Sequence, residues 1–269
     1  MNQRSHGQRK QSDIFGLNRF GIESNPTITA DLIVVPCSGG KDSQACIKLA
    51  KTTGKRVIGA FCDTKFEHPL TYSHIDRMQN LYGIKIYRIN EGSSVPEQVI
   101  RHREFPGIRH RFCTKNLKIR PSKRFYESLS REAGPFEVWI GVRKDESTAR
   151  AKRYSGLIGD EILCPHEFMS EYPKRLAANG VMFRLPIIDW SADDVFDYLG
   201  GEENPLYSHG AKRVGCFPCL AVSDDQMRWA FGHDEFGRNQ WRTVHFLEQK
   251  IGKTALRNDT YNSCSFCNI

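Results

Sequence analysis

Residues 32–50 read LIVVPCSGGKDSQACIKLA, an apolar run followed by a glycine-rich turn and an amphipathic segment. The run 32–37 has the length of a buried strand, and the segment 43–51 has the spacing of a helix. A strand that enters a helix through two glycines presents backbone N–H groups at the positive end of the helix dipole, where anions bind. The pattern is neither GxxxxGK[ST] nor GxGxxG. We therefore predict a different anion-binding turn, formed by Ser38, Gly39, Gly40, Lys41, Asp42 and Ser43.

Short apolar runs continue to alternate with amphipathic segments after this turn. The runs predict further strands at 56–62, 85–89 and 136–141. The amphipathic segments predict helices at 71–82, 95–102 and 121–133. This alternation indicates an α/β fold, a parallel twisted sheet with helices on both faces. Ligands of such sheets bind at the carboxyl ends of the strands, so we expect the site among loops 37–43, 62–69 and 141–153.

The composition is that of a globular protein with a basic surface. The chain has 269 residues, of which 39% are hydrophobic, and a net charge of +8. This charge favours polyanionic partners such as nucleotides or nucleic acid, although a solvated basic surface explains it equally well. No apolar run approaches the roughly 20 residues of a membrane span, and no signal peptide is apparent. We expect a cytoplasmic protein with no membrane association.

The patterning divides the chain into three parts. Residues 1–28 are polar and show no sustained hydrophobic periodicity, which predicts a flexible basic arm. Residues 29–180 carry the alternating pattern and form the expected nucleotide-binding domain. Residues 181–269 include a helix capped by Ser191 and Asp194, followed by two cysteine pairs, and predict a C-terminal subdomain.

Four separated motifs together resemble one known family. They are the glycine-rich turn, FCDTKFEHP at 61–69, GVRKDESTAR at 141–150, and a C-terminal set of PIIDWS, NPLY and GCFPC at 186–219. They resemble the PP-loop (N-type) ATP pyrophosphatases and, within them, the phosphoadenosine-phosphosulfate reductase-like branch, with similarity to DNA phosphorothioation sulfurtransferases. The resemblance implies the adenine nucleotide alpha hydrolase-like fold. It also implies that the turn binds the pyrophosphate part of ATP.

The residues of these motifs suit a nucleotide on their own chemistry. Arg143, Lys144 and Arg150 can neutralise phosphates, since a guanidinium binds phosphate oxygens through two donors. Asp63 can hold a ribose hydroxyl or Mg²⁺, which prefers carboxylate and phosphate oxygens. Glu146 can orient the arginines. The alternative for residues 141–153 is a solvated basic turn. As catalytic candidates we take Lys41, Asp42 and Arg143.

The cysteines suggest a metal or a cluster. Cys216-X-X-Cys219 has ligand spacing, and Cys264-X-X-Cys267 repeats it, so the two pairs could form a zinc site by themselves. Cys113 lies in a stretch resembling the one that carries a double cysteine in iron–sulfur members of the branch. The resemblance thus implies a [4Fe–4S] cluster held by Cys113, Cys216 and Cys219, and we take Cys264 as the candidate for the fourth ligand.

The cysteine pattern leaves alternatives open. The branch has two cysteines where this chain has only Cys113, so the fourth position could be open to sulfide or water, or filled by Cys264 or Cys267. The tail pair could instead be a mobile thiol pair that carries sulfur, or no metal is bound. The other cysteines have apolar or ordinary surroundings and are interpreted as core residues, namely Cys37, Cys46, Cys62 and Cys164.

The function implied by the resemblance is an ATP pyrophosphatase, converting ATP to AMP and pyrophosphate, that activates an acceptor for cluster- or persulfide-dependent sulfur transfer. The expected acceptor is nucleic acid, either DNA or tRNA, and the expected sulfur donor is a cysteine desulfurase.

Two other functions are considered. The first is a reductase of adenylyl sulfate or its 3′-phosphorylated form. Against it stand the intact turn and the tail NSCSFCNI, which lacks the Glu-Cys-Gly motif of such reductases. The second is a non-catalytic nucleotide-binding accessory protein.

Overall fold

The computed structural model describes residues 30–107, 110–159 and 161–256. The predicted arm at 1–28 and the cysteines Cys264 and Cys267 lie outside the described residues. In the part of the chain that is described, no helix is both long and apolar enough to cross a membrane.

The described residues form a six-stranded sheet in the order β3-β2-β1-β4-β6-β5. Its strands are β1 Leu32–Cys37, β2 Arg56–Cys62, β3 Lys85–Ile89, β4 Phe136–Trp139, β5 Ile162–Leu163 and β6 Val181–Arg184. All neighbours pair in parallel except β5, which runs antiparallel to β6. The predicted α/β class is confirmed.

The helices of the described chain cover the sheet and extend beyond it. They are α1 Lys41–Lys51, α2 Pro69–Tyr82, α3 Val95–His102, α4 Phe112–Thr114, α5 Arg120–Ala133, α6 Thr148–Arg153, α7 Pro165–Phe168, α8 Lys174–Ala178, α9 Ala192–Leu199, α10 Asp224–His233 and α11 Glu235–Ile251. A π-helical turn, Lys115–Ile119, joins α4 to α5, and a 3-10 turn, Lys144–Glu146, precedes α6.

Both faces of the sheet are buried, as expected for parallel strands. Ile33 and Val35 of β1 pack on one face against apolar residues of α1, α2 and α9. Leu32 and Val34, which alternate with them, pack on the other face against residues of α5, α7 and α8. This two-sided burial explains why β1 is an unbroken apolar run rather than an alternating one.

Several elements differ from the predicted bounds. Helix α1 begins at Lys41 rather than 43, because Gly40 already has the extended conformation of a helix N-cap. Helix α2 begins at Pro69, where His68 accepts a hydrogen bond from the Leu70 N–H. The strand predicted at 136–141 ends at Trp139.

The sheet extends past the predicted domain boundary between residues 180 and 181. Strand β6 follows this boundary directly, and it pairs with β4 from Phe136 opposite Val181 to Trp139 opposite Arg184. Residues 181–184 therefore lie in the same sheet as the strands of the predicted nucleotide-binding domain.

Strand β1 lies at the switch point of the sheet. Its neighbours are β2 on one side and β4 on the other, so the chain leaves β1 in one direction and later returns on the opposite side. In open α/β sheets the usual ligand site is the crevice at such a switch point, outside the carboxyl ends of the strands.

Candidate active site

The glycine loop, residues 38–43, lies at this crevice and retains free donors. Gly39 has a φ of +74°, a conformation that side chains disfavour, and a Cβ there would lie 2.6 Å from Thr71 Cγ2. The Ser43 hydroxyl donates to the Gly40 carbonyl at 2.9 Å and shapes the turn. The N–H groups of Gly39 and Gly40 donate to no acceptor among the described residues. These two donors are available for an anion.

A segment that follows α9 in the chain holds the glycine loop in place through two hydrogen bonds. The amide of Asn204 donates to the Gly39 carbonyl at 3.1 Å, and the Lys41 N–H donates to the Tyr207 hydroxyl at 3.1 Å. Asn204 is fully buried. These two residues belong to the NPLY motif, and their contacts make the loop conformation depend on residues beyond the sheet.

The buried cations of the site share one carboxylate. Lys41 Nζ lies 2.8 Å from Asp42 Oδ1, and Arg143 Nε lies 2.6 Å from the same oxygen. Lys41 and Arg143 are both about 5% exposed. Burial by itself would lower the pKa of Arg143, but Asp42 and Asp145 outweigh it and raise this pKa. The structure therefore brings the three predicted catalytic residues together.

The loop after β4 approaches the glycine loop closely. A Cβ at Gly141 would lie 2.7 Å from the backbone carbonyl carbon of Asp42, so only glycine fits there. Glu146 accepts from the Arg143 N–H at 3.1 Å and pairs with Arg150. Lys144 instead binds Asp189 at 2.7 Å and the Leu157 carbonyl at 2.7 Å.

Asp63, the predicted ligand for ribose or Mg²⁺, follows β2 at the same edge of the sheet. Its Oδ1 accepts from the Tyr72 hydroxyl at 2.7 Å and from the Lys65 N–H at 2.8 Å. The other carboxylate oxygen accepts no hydrogen bond from the described residues. It is thus the atom of this side chain that could bind a metal or a hydroxyl.

A partly open space of about 130 Å³, which we call the inner cavity, lies at the carboxyl ends of β1 and β2. It is lined by Pro36, Cys37, Ser38, Ala60, Phe61, Cys62, Glu67, Lys118, Ser122 and Gly215. Cys62 lines this space, and its Sγ lies 3.3 Å from Oγ of Ser122, another lining residue. This position differs from the interpretation of Cys62 as a core residue. Ser38 of the glycine loop and the cysteines Cys37 and Cys62 therefore line the same cavity.

Three predicted ligands gather beside the inner cavity and form what we call the thiol cluster: Cys113, Cys216 and Cys219. Cys219 lies within electrostatic range of both Cys113 and Cys216. Lys118, on the π-helical turn, interacts with the same thiols, and the neighbouring Cys216 is the main reason its pKa is raised. Burial raises the pKa of Cys216 to about 11.

Contacts to the loop after β2 hold Cys216 of the thiol cluster in position. Cys216 Sγ lies 3.3 Å from Thr64 Oγ1 and 3.8 Å from Glu67 Oε1. The backbones of Glu67 and Cys216 form an antiparallel bridge, and the Phe217 N–H donates to the Phe66 carbonyl at 2.7 Å.

The thiol cluster fits a thiolate-bound group in its chemistry but only partly in its arrangement. Cysteine thiolates are the ligands of iron–sulfur clusters and of structural zinc, and Lys118 supplies a compensating charge. Within the described residues, however, no three His, Cys, Asp or Glu side chains are positioned to hold a metal ion. The fourth predicted ligand, Cys264, lies outside them.

The fold and the loop agree with a known family. Residues 32–222 match the model of the phosphoadenosine phosphosulfate reductase domain. The chain belongs to this family and to the PP-loop superfamily that contains it.

Related proteins are of several kinds. An uncharacterised protein of Methanocaldococcus jannaschii is 31% identical over 203 residues, which cover 72% of this chain and 37% of that protein. An uncharacterised protein of Escherichia phage 186 is 25% identical, covering 78% of this chain and 73% of that protein. An adenosine 5′-phosphosulfate reductase of Oceanobacillus iheyensis is 26% identical, and the match covers 74% of this chain and 77% of that protein. The chain thus spans little more than a third of the archaeal relative.

Solved structures show weaker similarity. Phosphoadenylyl-sulfate reductase from Candida auris has a TM-score of 0.45 and 20% identity, covering 69% of this chain and 81% of that chain. The U34-tRNA thiolase NcsA of Methanococcus maripaludis was solved with its [4Fe–4S] cluster. It has a TM-score of 0.43 and 15% identity, and the match covers 82% of this chain and 72% of that chain.

Proposed function

We propose that this protein is an ATP pyrophosphatase that activates an acceptor for sulfur transfer. The observation that carries the proposal is the inner cavity, which is lined by Ser38 of the glycine loop and by Cys62 and Gly215 next to the thiol cluster. A nucleotide bound at the loop would have its reacting end in the same space as the sulfur-bearing groups.

In the proposed reaction, an acceptor oxygen attacks the α phosphorus of Mg-ATP. A new P–O bond forms while the bond to the α–β bridging oxygen breaks, and pyrophosphate leaves with that oxygen and its electron pair. Lys41 and Arg143 bind the departing phosphates, and their charges offset the negative charge that accumulates there. Asp63 is the proposed ligand of Mg²⁺ or of a ribose hydroxyl. Lys144, in the 3-10 turn after β4, and Arg150, in α6, are the further proposed nucleotide-binding residues.

Sulfur transfer completes the proposal. The adenylated acceptor loses AMP when a sulfur nucleophile attacks it: the bond to sulfur forms, the bond to the AMP oxygen breaks, and AMP leaves with that electron pair. Where the nucleophile is a cysteine persulfide, a second cysteine thiol then breaks its S–S bond, which releases the thiolated acceptor and leaves the two cysteines as a disulfide. The thiol cluster and Cys264 are the proposed ligands of a [4Fe–4S] cluster, which when bound would supply an iron site for sulfide; Zn²⁺ is the alternative. A nucleic acid acceptor and a cysteine desulfurase as donor belong to the same proposal.

Calorimetry on the anaerobically purified protein tests the nucleotide part. We expect a Mg-bound ATP analogue to bind in preference to adenylyl sulfate and its 3′-phosphorylated form. Lys41→Ala should weaken this binding at least about tenfold, since it removes a buried charge from the phosphate site. Lys51→Ala, an exposed lysine at the other end of α1, is the control and should bind as the wild type does. Equal binding by both variants would remove the glycine loop from the mechanism.

The second candidate function is a sulfonucleotide reductase. It is supported by the name of the Oceanobacillus iheyensis relative, an adenosine 5′-phosphosulfate reductase at 26% identity. In this case adenylyl sulfate would bind better than the ATP analogue, and Cys264 or Cys267 would have to supply the nucleophile. Nucleotide binding without pyrophosphate release or sulfite formation would instead indicate an accessory protein.

Metal analysis tests the cluster independently of activity. Iron, zinc and acid-labile sulfide are measured in the wild type and in Cys216→Ser. Cys164→Ser is the matched control, because Cys164 is a half-buried cysteine remote in sequence from the thiol cluster. We expect iron and sulfide in the wild type and the control, and their loss from Cys216→Ser. Zinc without sulfide would identify the alternative metal, and identical iron contents in all three proteins would contradict the ligand assignment.

A further inference from the structure

A second space lies next to the thiol cluster. This outer cavity has a volume of about 210 Å³, larger than the inner one. Cys216 and Cys219 both line it, whereas the neighbouring Gly215 lines the inner cavity. The segment 215–219 therefore separates the two spaces, and a group in the outer cavity can contact the thiols without passing the glycine loop.

The outer cavity has positive charge at its rim. Lys212 and Arg213 line it and are exposed. Neither forms a salt bridge to any carboxylate among the described residues, whereas the one acidic residue of the lining, Asp225, pairs with Arg228. The two charges are thus available to an anionic ligand, as phosphate contacts of nucleic acids require.

The wall of the outer cavity carries an aromatic ring and an amide. Trp229 is half-buried and is held by His233, with ring centroids 4.9 Å apart, and by Phe217 at 5.8 Å. The Trp229 indole N–H and the Gln226 amide have no hydrogen-bond partner among the described residues. An aromatic ring beside unused donors and two cations is the combination that binds an unstacked nucleotide, because the base stacks while the phosphate is neutralised.

We propose that the outer cavity binds one unpaired nucleotide of a single-stranded nucleic acid, with its phosphate at Lys212 and Arg213 and its base at Trp229 and Gln226. The bound base would lie beside Cys219. The role of this site rests on the proposed function, because the bound nucleotide would be the acceptor of sulfur. Binding itself depends only on the cavity.

Fluorescence anisotropy with a short labelled oligouridylate and the matching oligodeoxythymidylate tests this site in the full-length protein. The double variant Lys212→Ala/Arg213→Ala is compared with Lys51→Ala/Arg131→Ala. This control removes two exposed charges from the last turns of α1 and α5, which lead into the amino ends of β2 and β4. We expect the first to weaken binding at least about tenfold and to reduce the slope of log K against log salt by about 0.7 per charge. The control should change neither. Trp229→Leu should also weaken binding while leaving the salt slope unchanged.

The outcomes separate this proposal from the proposed function. If the wild type binds neither strand, or if both double variants bind alike, the nucleotide site is wrong. A preference for one strand identifies RNA or DNA as the source of the nucleotide. If the cavity variants lose oligonucleotide binding while the wild type fails to bind the ATP analogue, the outer site stands and the proposed function fails.

Discussion

Arg143 and Asp42, 101 positions apart in the sequence, form an ion pair between the loop after β4 and the glycine loop, with 2.6 Å between Nε and Oδ1. Lys41 binds the same carboxylate oxygen. Asp42 thus pairs with both cations, and a phosphate at the glycine loop would share them with this carboxylate.

Arg143→Met tests the importance of this pair for nucleotide binding. Methionine preserves much of the side-chain volume but removes the buried guanidinium, so the affinity for a Mg-bound ATP analogue should fall by about 30-fold or more, the effect of losing a buried charge partner. Calorimetry provides the measurement. Arg175→Met is the control, because Arg175 pairs with Glu127 at the surface. Unchanged affinity in Arg143→Met would exclude this arginine from the site.

Gly141→Ala should damage the same site through packing. The new methyl group would meet the backbone of Asp42 at 2.7 Å, and backbone atoms at this distance must move. We expect a loss of about 1–3 kcal/mol in the free energy of unfolding, typical of overpacking, together with weaker nucleotide binding. Urea denaturation and calorimetry measure the two effects. Gly156→Ala, where a Cβ meets nothing within 4 Å, should alter neither.

His74 should make stability depend on pH. It is buried, its Nε2 lies 2.8 Å from Gln44 Oε1, and burial, with Arg77, lowers its pKa from 6.5 to about 4. Between these values the unfolded chain binds a proton that the folded chain rejects, so stability falls as the pH decreases from about 6.5 towards 4. The loss is on the order of 3 kcal/mol at most, from the size of the shift.

The variant His74→Gln isolates this effect. Glutamine keeps a donor for Gln44 but does not titrate. The difference in the free energy of unfolding between wild type and variant, measured in urea at several pH values, should be constant above about pH 6.5 and change below it. A difference that is constant down to pH 4 would show that His74 is not the titrating group.

Glu137→Gln should destabilise the sheet. Glu137 and Arg184 are both at most 2% exposed, and their side chains pair at 2.9 Å between β4 and β6. Neutralising one partner of a buried pair costs about 3–5 kcal/mol. Glu127→Gln, which removes the partner of exposed Arg175, should cost about 1 kcal/mol or less. The free energy of unfolding of both variants is measured by urea denaturation. Equal decreases would contradict the prediction that the buried pair stabilises the fold more than the exposed pair does.

The strands and the glycine loop could be predicted because their signals are contiguous. Strands β1 and β2 are buried on both faces, so each is an unbroken apolar run with clear ends. Strand β5, Ile162–Leu163, gives no such signal because it has two residues, neither of them fully buried. The π-helical turn also has no pattern in the sequence.

The parts of the site that sequence reasoning missed depend on distant contacts. Nothing around Tyr207 indicates that its hydroxyl accepts a hydrogen bond from Lys41, 166 positions earlier. Cys62 follows apolar neighbours and was indistinguishable from a core cysteine; it lines the inner cavity because β2 ends there. The lysine in the Cys113 stretch, Lys118, carried a recognisable signal, a cation close in sequence to a predicted ligand.

The covering segment, residues 204–219, has a consequence for the order in which the molecule assembles. It contacts the glycine loop through Tyr207 and the loop after β2 through Cys216, over separations of 166 and 149 residues. A ribosome completes the glycine loop long before it delivers this segment, and contacts over such separations form late because long loops must close first. The final shape of the crevice at the glycine loop and the cover over Cys216 therefore both depend on the docking of this one segment.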